Sequence, residues 1–334
     1  MLAGLLSDAW GTLTSSVASG AQAAGNAVSN IVGGAVSGTG DFISEQFTAQ
    51  MSTMICDAIV STLKNIATDA TNVTTGISGS VGQTPSGFNG NINSMMHSLS
   101  DNVMIPIAGI ILTFVLVYEL IQMITEKNNM ADMDTFMLYK WVFKAAVCVI
   151  LVSHSWEIAQ AFFDVGQWIV RTASGTINTT GNLNTQASIA YLNSGEADTF
   201  LKGTYSLGAL LALWVESMLA MLAIRIITII IRVVVFIRMI EIFVYVSVSP
   251  VPAATVGNRN WGQIGENYLR ALAALAFQAF FIMVALGIYT ELATTVSLDA
   301  NIVGSMGAIL IYTVALAFVV TQSKSLSFSI FNAH

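Results

Sequence analysis

Between Leu222 and Val246 the sequence reads LAIRIITIIIRVVVFIRMIEIFVYV, an otherwise apolar run that carries Arg225, Arg232, Arg238 and Glu241. A charge at the centre of a bilayer costs at least about 2.5 kcal/mol even on the lenient insertion scale, so four of them need partners, water or a job. The chemistry on offer is electrostatic. At about 100° per residue on a helical wheel, Arg225 and Arg232 lie within about 20° of each other, and Glu216, Arg238 and Glu241 gather on the opposite side. Arg238 and Glu241 stand three residues apart and can pair, whereas Arg225 and Arg232 have no acid within reach in the same helix. Two readings stay open. In one, Arg232, Arg238 and Glu241 sit at or beyond the cytoplasmic boundary with their stems snorkelling to the headgroups. In the other, Arg225 and Arg232 face a neighbouring subunit or a water-filled lumen and meet Glu119, Glu157 or the Glu216 of another copy.

Covalent chemistry finds no foothold. The chain has no Walker loop, no HExxH and no GxSxG, which argues against an enzyme. His97, His154 and His334 have no Cys or His at ligand spacing, so no metal and no cofactor is expected. Cys56 and Cys148 fall in different regions and do not make a disulfide framework. A net charge of −7 and a pI near 4.8 leave no basic surface for autonomous nucleic-acid binding.

The elements that must carry these charges follow from composition. Hydrophobic residues make up 54% of the chain and charged residues 9%, far below the roughly 25% charged of a soluble domain. The fold class is all-α: a polytopic membrane protein with five transmembrane helices, one unusually long, behind an N-terminal extracytoplasmic helical region over 1–70. In that region Val17, Ala21, Ala24, Val28, Ile31 and Ala35 form one helical stripe, and Ile43, Phe47, Met51, Met54, Ile55, Ala58, Ile59, Leu63 and Ile66 form a second. Residues 71–102, rich in Gly, Ser and Thr at first, read as a linker and lead-in.

Against the ~20 apolar residues needed to cross a bilayer, the membrane domain over 103–322 offers Val103–Ile124, Trp141–Phe163, Gly208–Ser249, Ala271–Thr290 and Ile302–Val320. Lysines and arginines over 126–144, 251–270 and in the tail 323–334 place those segments in the cytoplasm. The N-terminus and the loop 165–205 then lie outside. Parity makes Gly208–Ser249 cross once, and with no Gly, Pro or Asn to turn a hairpin inside it, it reads as one helix of about 63 Å. In lipid, helices associate through small residues. Ala271, Ala273, Ala274, Ala276, Gly304 and Gly307 therefore offer surfaces for a homo-oligomer.

The stretch IPIAGIILTFVLVYELIQMI (Ile105 to Ile124), followed by EKNNMADMDTF and KWVFK, resembles the TrbL-like conjugal transfer proteins of integrative and conjugative elements in Gram-positive bacteria, polytopic subunits of type IV secretion systems. The polar residues Glu119, Gln122, Lys127, Asn128, Asn129 and Asp134 carry much of that resemblance. It implies a channel or platform subunit without catalysis, assembled as a homo-oligomeric ring with other secretion subunits including ATPases, in contact with membrane lipid. Translocated single-stranded DNA with bound protein is at most a transient partner. The competing reading is a secondary transporter or small-ion channel that uses the intramembrane charges. Such transporters show internal repeats and Gly- or Pro-broken helices in matching halves, and neither is visible in the sequence.

Overall fold

The computed structural model describes residues 41–126, 135–177, 190–258, 260–296 and 302–333. The first N-terminal stripe, over 17–35, lies outside them. Among the described residues there is no strand. The helices are α1 (Asp41–Val81), α2 (Pro85–Phe88), α3 (Gly90–Leu99), α4 (Ile105–Glu126), α5 (Thr135–Ser153), α6 (Ser155–Ile177), α7 (Glu196–Thr204), α8 (Leu207–Val248), α9 (Pro250–Ala253), α10 (Gly262–Thr294) and α11 (Ile302–Ile330). Among the described residues, five helical runs are long and apolar enough to cross a membrane. The longest is α8, unbroken for 42 residues, as the lack of turn formers inside it requires.

The chain divides into two compact units. The first holds the described parts of Met1–Ser78, Gly175–Arg232 and Ala285–Val319. Its core is the second N-terminal stripe, with Ile55, Ile59, Leu63 and Ile66 of α1 packed in one cluster with Leu201 of α7, Leu210 and Ile224 of α8, and Met306 of α11. Met54 stays 67% exposed, so the buried face of α1 is narrower than the sequence pattern suggests. Tyr289 and Thr313 share a buried hydroxyl contact of 3.2 Å.

The second unit holds Gly79–Ser174, Val233–Val284 and the described part of Val320–His334. Trp156, Ala159 and Phe163 of α6 pack there with Met239, Ile242 and Val246 of α8 and Leu272 and Leu275 of α10. The small residues of α10 serve this packing. Ala271, Ala274 and Ala276 are buried inside the chain, and a side chain at Gly166 of α6 would come within 3.0 Å of the Ala276 carbonyl. Gln278 donates to Ser323 Oγ at 3.1 Å, and Tyr268 donates to the Tyr245 carbonyl at 2.7 Å.

Two boundaries differ from the expected ones. The 71–102 segment is mostly helix: α1 continues to Val81, and α2 and α3 follow. Local caps make this possible. Thr84 Oγ1 accepts from the Gly87 N–H ahead of Pro85, and Asn89 Oδ1 accepts from the N–H groups of Asn91 and Ile92, satisfying donors that a helix start leaves open. A π-helical turn over Ser100–Met104 then joins α3 to α4, so the first crossing is part of a 36-residue run from Gly90 to Thr125. The second expected crossing, Trp141–Phe163, is interrupted at His154 between α5 and α6.

Both cysteines are free and buried. Burial, with the nearby Asp198 carboxylate adding to it, pushes the Cys56 thiol up to about 11, so almost none of it is thiolate at neutral pH. Maleimide treatment of native membranes at neutral pH should leave Cys56 unmodified, and it should react after denaturation. Native labelling of Cys56 would mean that α1 does not pack as described.

Candidate functional site

The charged residues of the apolar run all lie on α8, whose residues up to 232 belong to the first unit and whose residues from 233 belong to the second. The two wheel stripes separate by burial: Glu216 and Arg238 are 4% and 3% exposed, whereas Arg225 and Arg232 are exposed.

Arg225 has a partner in its own chain. Its Nε donates to Asp69 Oδ2 of α1 at 3.0 Å. The carboxylate that sequence reasoning sought in Glu119, Glu157 or a second copy is thus supplied by the N-terminal helix. Arg225 is 54% and Asp69 25% exposed, and a pair this open contributes on the order of 0.2–1 kcal/mol in water. Arg232, one helical stripe with Arg225, has no ion-pair partner among the described residues.

Arg238 does not pair with Glu241. Its Nη1 donates to the Val81 carbonyl at 3.1 Å and its Nη2 to the Leu275 carbonyl at 3.3 Å, while Nε is buried without a partner among the described residues. Val81 is the last residue of α1, so the guanidinium sits on the negative end of that helix, where cations are favoured. Glu241 pairs instead with Lys324 of α11 at 2.7 Å. Glu119 pairs with Lys144 across α4 and α5, beside a 3.3 Å bond from Trp141 Nε1 to the Leu116 carbonyl. Glu157 is exposed in the first turn of α6. Glu216 has one carboxyl oxygen buried without a hydrogen-bond partner among the described residues.

Asp69, Lys144, Lys324 and the Val81 carbonyl are the partners that sequence reasoning missed. The run's charges are therefore distributed over three separate contacts and one open arginine, and they do not converge on a single pocket. What the arrangement can do is hold helices together and present one positive charge on an apolar face.

Because Asp69 and Arg225 form one contact, Asp69→Asn and Arg225→Leu should each lower thermal stability of the purified protein slightly, by at most about 1 kcal/mol, and the double variant should lose no more than the larger single loss. Full additivity in a thermal-shift or denaturant series would show that the two side chains act independently.

A model of the TrbL/VirB6 plasmid conjugal transfer like protein family matches residues 70–250, more than half of the 334-residue chain. The match runs from α1 to the start of α9 and contains all of α8. Neither a curated protein nor a solved structure matches the chain. With five apolar helices of membrane-crossing length and this match over their charged core, the chain is a multi-pass membrane protein that belongs to the TrbL/VirB6 conjugal transfer family, whose members are components of conjugal transfer systems.

Proposed function

We propose that the protein is a channel or platform subunit of a conjugative type IV secretion system. In this reading several copies form a ring, and the ring helps single-stranded DNA with its bound protein across the cell membrane, working with the system's ATPases and other subunits. The family match over α8 carries the proposal. The surface of α8 supports it: only 22% of its most apolar window is buried, against 61% for α10. Leu222, Ile226, Ile229, Val233 and Ile240 are exposed there, together with Arg225 and Arg232.

An apolar face bearing an unpaired arginine suits a neighbouring copy or a hydrated lumen better than lipid, where the charge would stand alone. We assign the subunit contact to this face. Ala271, Ala274 and Ala276 of α10 are buried within the chain, which favours α8 over them as the oligomer surface. In the proposed orientation the N-terminus and residues 165–205, which include the end of α6 and all of α7, lie outside, and 126–144, 251–270 and the C-terminus lie in the cytoplasm.

Arg232 is the decisive residue, since Arg225 already has Asp69. Arg232→Leu makes α8 more apolar and should insert normally, yet conjugation frequency should fall at least about tenfold, equivalent to about 1.4 kcal/mol in a coupling step. Arg225→Leu should do less. Full transfer at normal membrane abundance with both arginines replaced would defeat the proposal. For orientation, Asn193→Cys should react with an impermeant thiol reagent on intact cells and Ser325→Cys should not, and the reverse pattern would invert the topology.

A further inference from the structure

Three helical breaks meet in the second unit. The π-helical turn Ser100–Met104 interrupts the run from α3 to α4, and the Ile105 N–H bonds back to the Ser100 carbonyl. The antiparallel neighbour breaks at His154, although the bonds from His154 N–H to Ile150 O and from Ile158 N–H to His154 O, both 3.0 Å, still cross the break. Contacts on the α3 and α6 side hold the two helices together: Gln160 donates to Asn93 Oδ1 at 2.8 Å, and the rings of His97 and Trp156 lie 4.8 Å apart. At the same level α8 ends, and α9 and Ala254 pack against Ala108 and Leu112 of α4 and Cys148 and Val152 of α5.

Packing at this level is incomplete. Among the described residues, Ser100 Oγ, Ser155 Oγ and Asn258 Nδ2 are buried without a hydrogen-bond partner. A cavity of about 50 Å³, lined by Leu151, Ser155, Ser249, Val256, Gly265 and Leu272, lies beside the His154 break. A π-helical turn, an interrupted helix, orphaned polar groups and a void are the features of a segment that opens at low cost.

Beyond the breaks, α4 and α5 form a two-helix hairpin that exposes apolar side chains, with Ile110, Phe143 and Tyr139 at 74%, 73% and 69%. From Ala108, where the connection after α8 rests, α4 runs on to Glu126, about 27 Å at 1.5 Å per residue. That is close to the ~30 Å of a hydrocarbon core. If every long helix crosses once, the connection after α5's predecessor and the connection after α8 share one membrane face. As found, the end of α4 at Glu126 stands about one bilayer away from the connection after α8, measured along α4.

We propose that the α4–α5 hairpin is a rigid arm that turns on the paired breaks at Ser100–Met104 and His154. The hairpin's own ties, the Glu119–Lys144 pair and the Trp141–Leu116 bond, lie beyond the pivot and move with it. Folding back at the pivot lets α4 and α5 share the bilayer crossed by α8 and α10, and the arrangement described here is the extended position of the arm. The inference rests on this geometry and not on the nature of the transferred substrate.

Gly257 supplies the test. A Cβ built on it lies 3.7 Å from the Cβ of Cys148 in α5, inside the 3.5–4.5 Å range of disulfides, and 2.3 Å from its Sγ, which must rotate aside. In a background lacking Cys56, Gly257→Cys should crosslink to the native Cys148 under mild oxidation and so pin the arm; Gly257→Cys with Cys148→Ala is the uncrosslinked control. In the purified unmodified protein, amide hydrogen exchange over 100–104 and 154–158 should be faster than in the turns on either side. The crosslink should slow it at least tenfold, and reductant should restore it. Exchange at the breaks no faster than in their flanks, absence of the crosslink in a folded variant, or exchange unchanged by a complete crosslink would each overturn the proposal.

Discussion

A guanidinium shut away from water has to give its protons to something, and Arg238 gives them to two backbone carbonyls. One belongs to the last residue of α1 and the other to the middle of α10. No carboxylate among the described residues answers it, so the charge is balanced by peptide dipoles, with the negative end of α1 foremost. Such a contact tolerates little displacement, because a buried cation that loses its acceptors faces several kcal/mol of uncompensated desolvation. Met239, Ile242 and Leu275 around it are fully buried. One side chain thus ties together a helix from the polar N-terminal region, the longest apolar helix and the most buried one.

The remaining polar contacts follow the same economy. Gln278 with Ser323 and Tyr268 with the Tyr245 carbonyl bind neighbouring helices of the second unit, while Tyr289 with Thr313 does so in the first. Between helices in lipid such a bond contributes on the order of 0.6 kcal/mol, so register comes from several of them combined with close-packed alanines. α8 departs from this pattern: it is the most apolar helix and the least enclosed of the three long C-terminal ones. Its open face carries exposed apolar side chains beside Arg225 and Arg232.

Whatever depends on local pattern could be read from the sequence. The stripe from Ile55 to Ile66 is buried as its spacing requires, and α8 is continuous because nothing in it can turn the chain. The helical course of 71–102 was not legible, since Gly, Ser and Thr argue for a linker until caps at Thr84 and Asn89 and packing against other helices override weak propensities. The partners of the charges were hidden for a different reason. Asp69 is one acid among 19 Asp and Glu, and nothing in its neighbourhood points to Arg225. A backbone carbonyl such as that of Val81 has no sequence signature at all. Nor do the π-helical turn or the break at His154.

The capping of α1 by Arg238 also sets an order of events during synthesis. The carbonyl of Val81 waits for a residue 157 positions downstream, which at translation rates of about 5–20 residues per second means on the order of ten seconds or more. Through that interval the end of α1 has no guanidinium to receive it, and the second acceptor, on α10, emerges later still. α1 therefore cannot finish packing ahead of the membrane helices, as a helix of an independent domain would. It is completed from the far end of the chain, after α8 and α10 have been inserted.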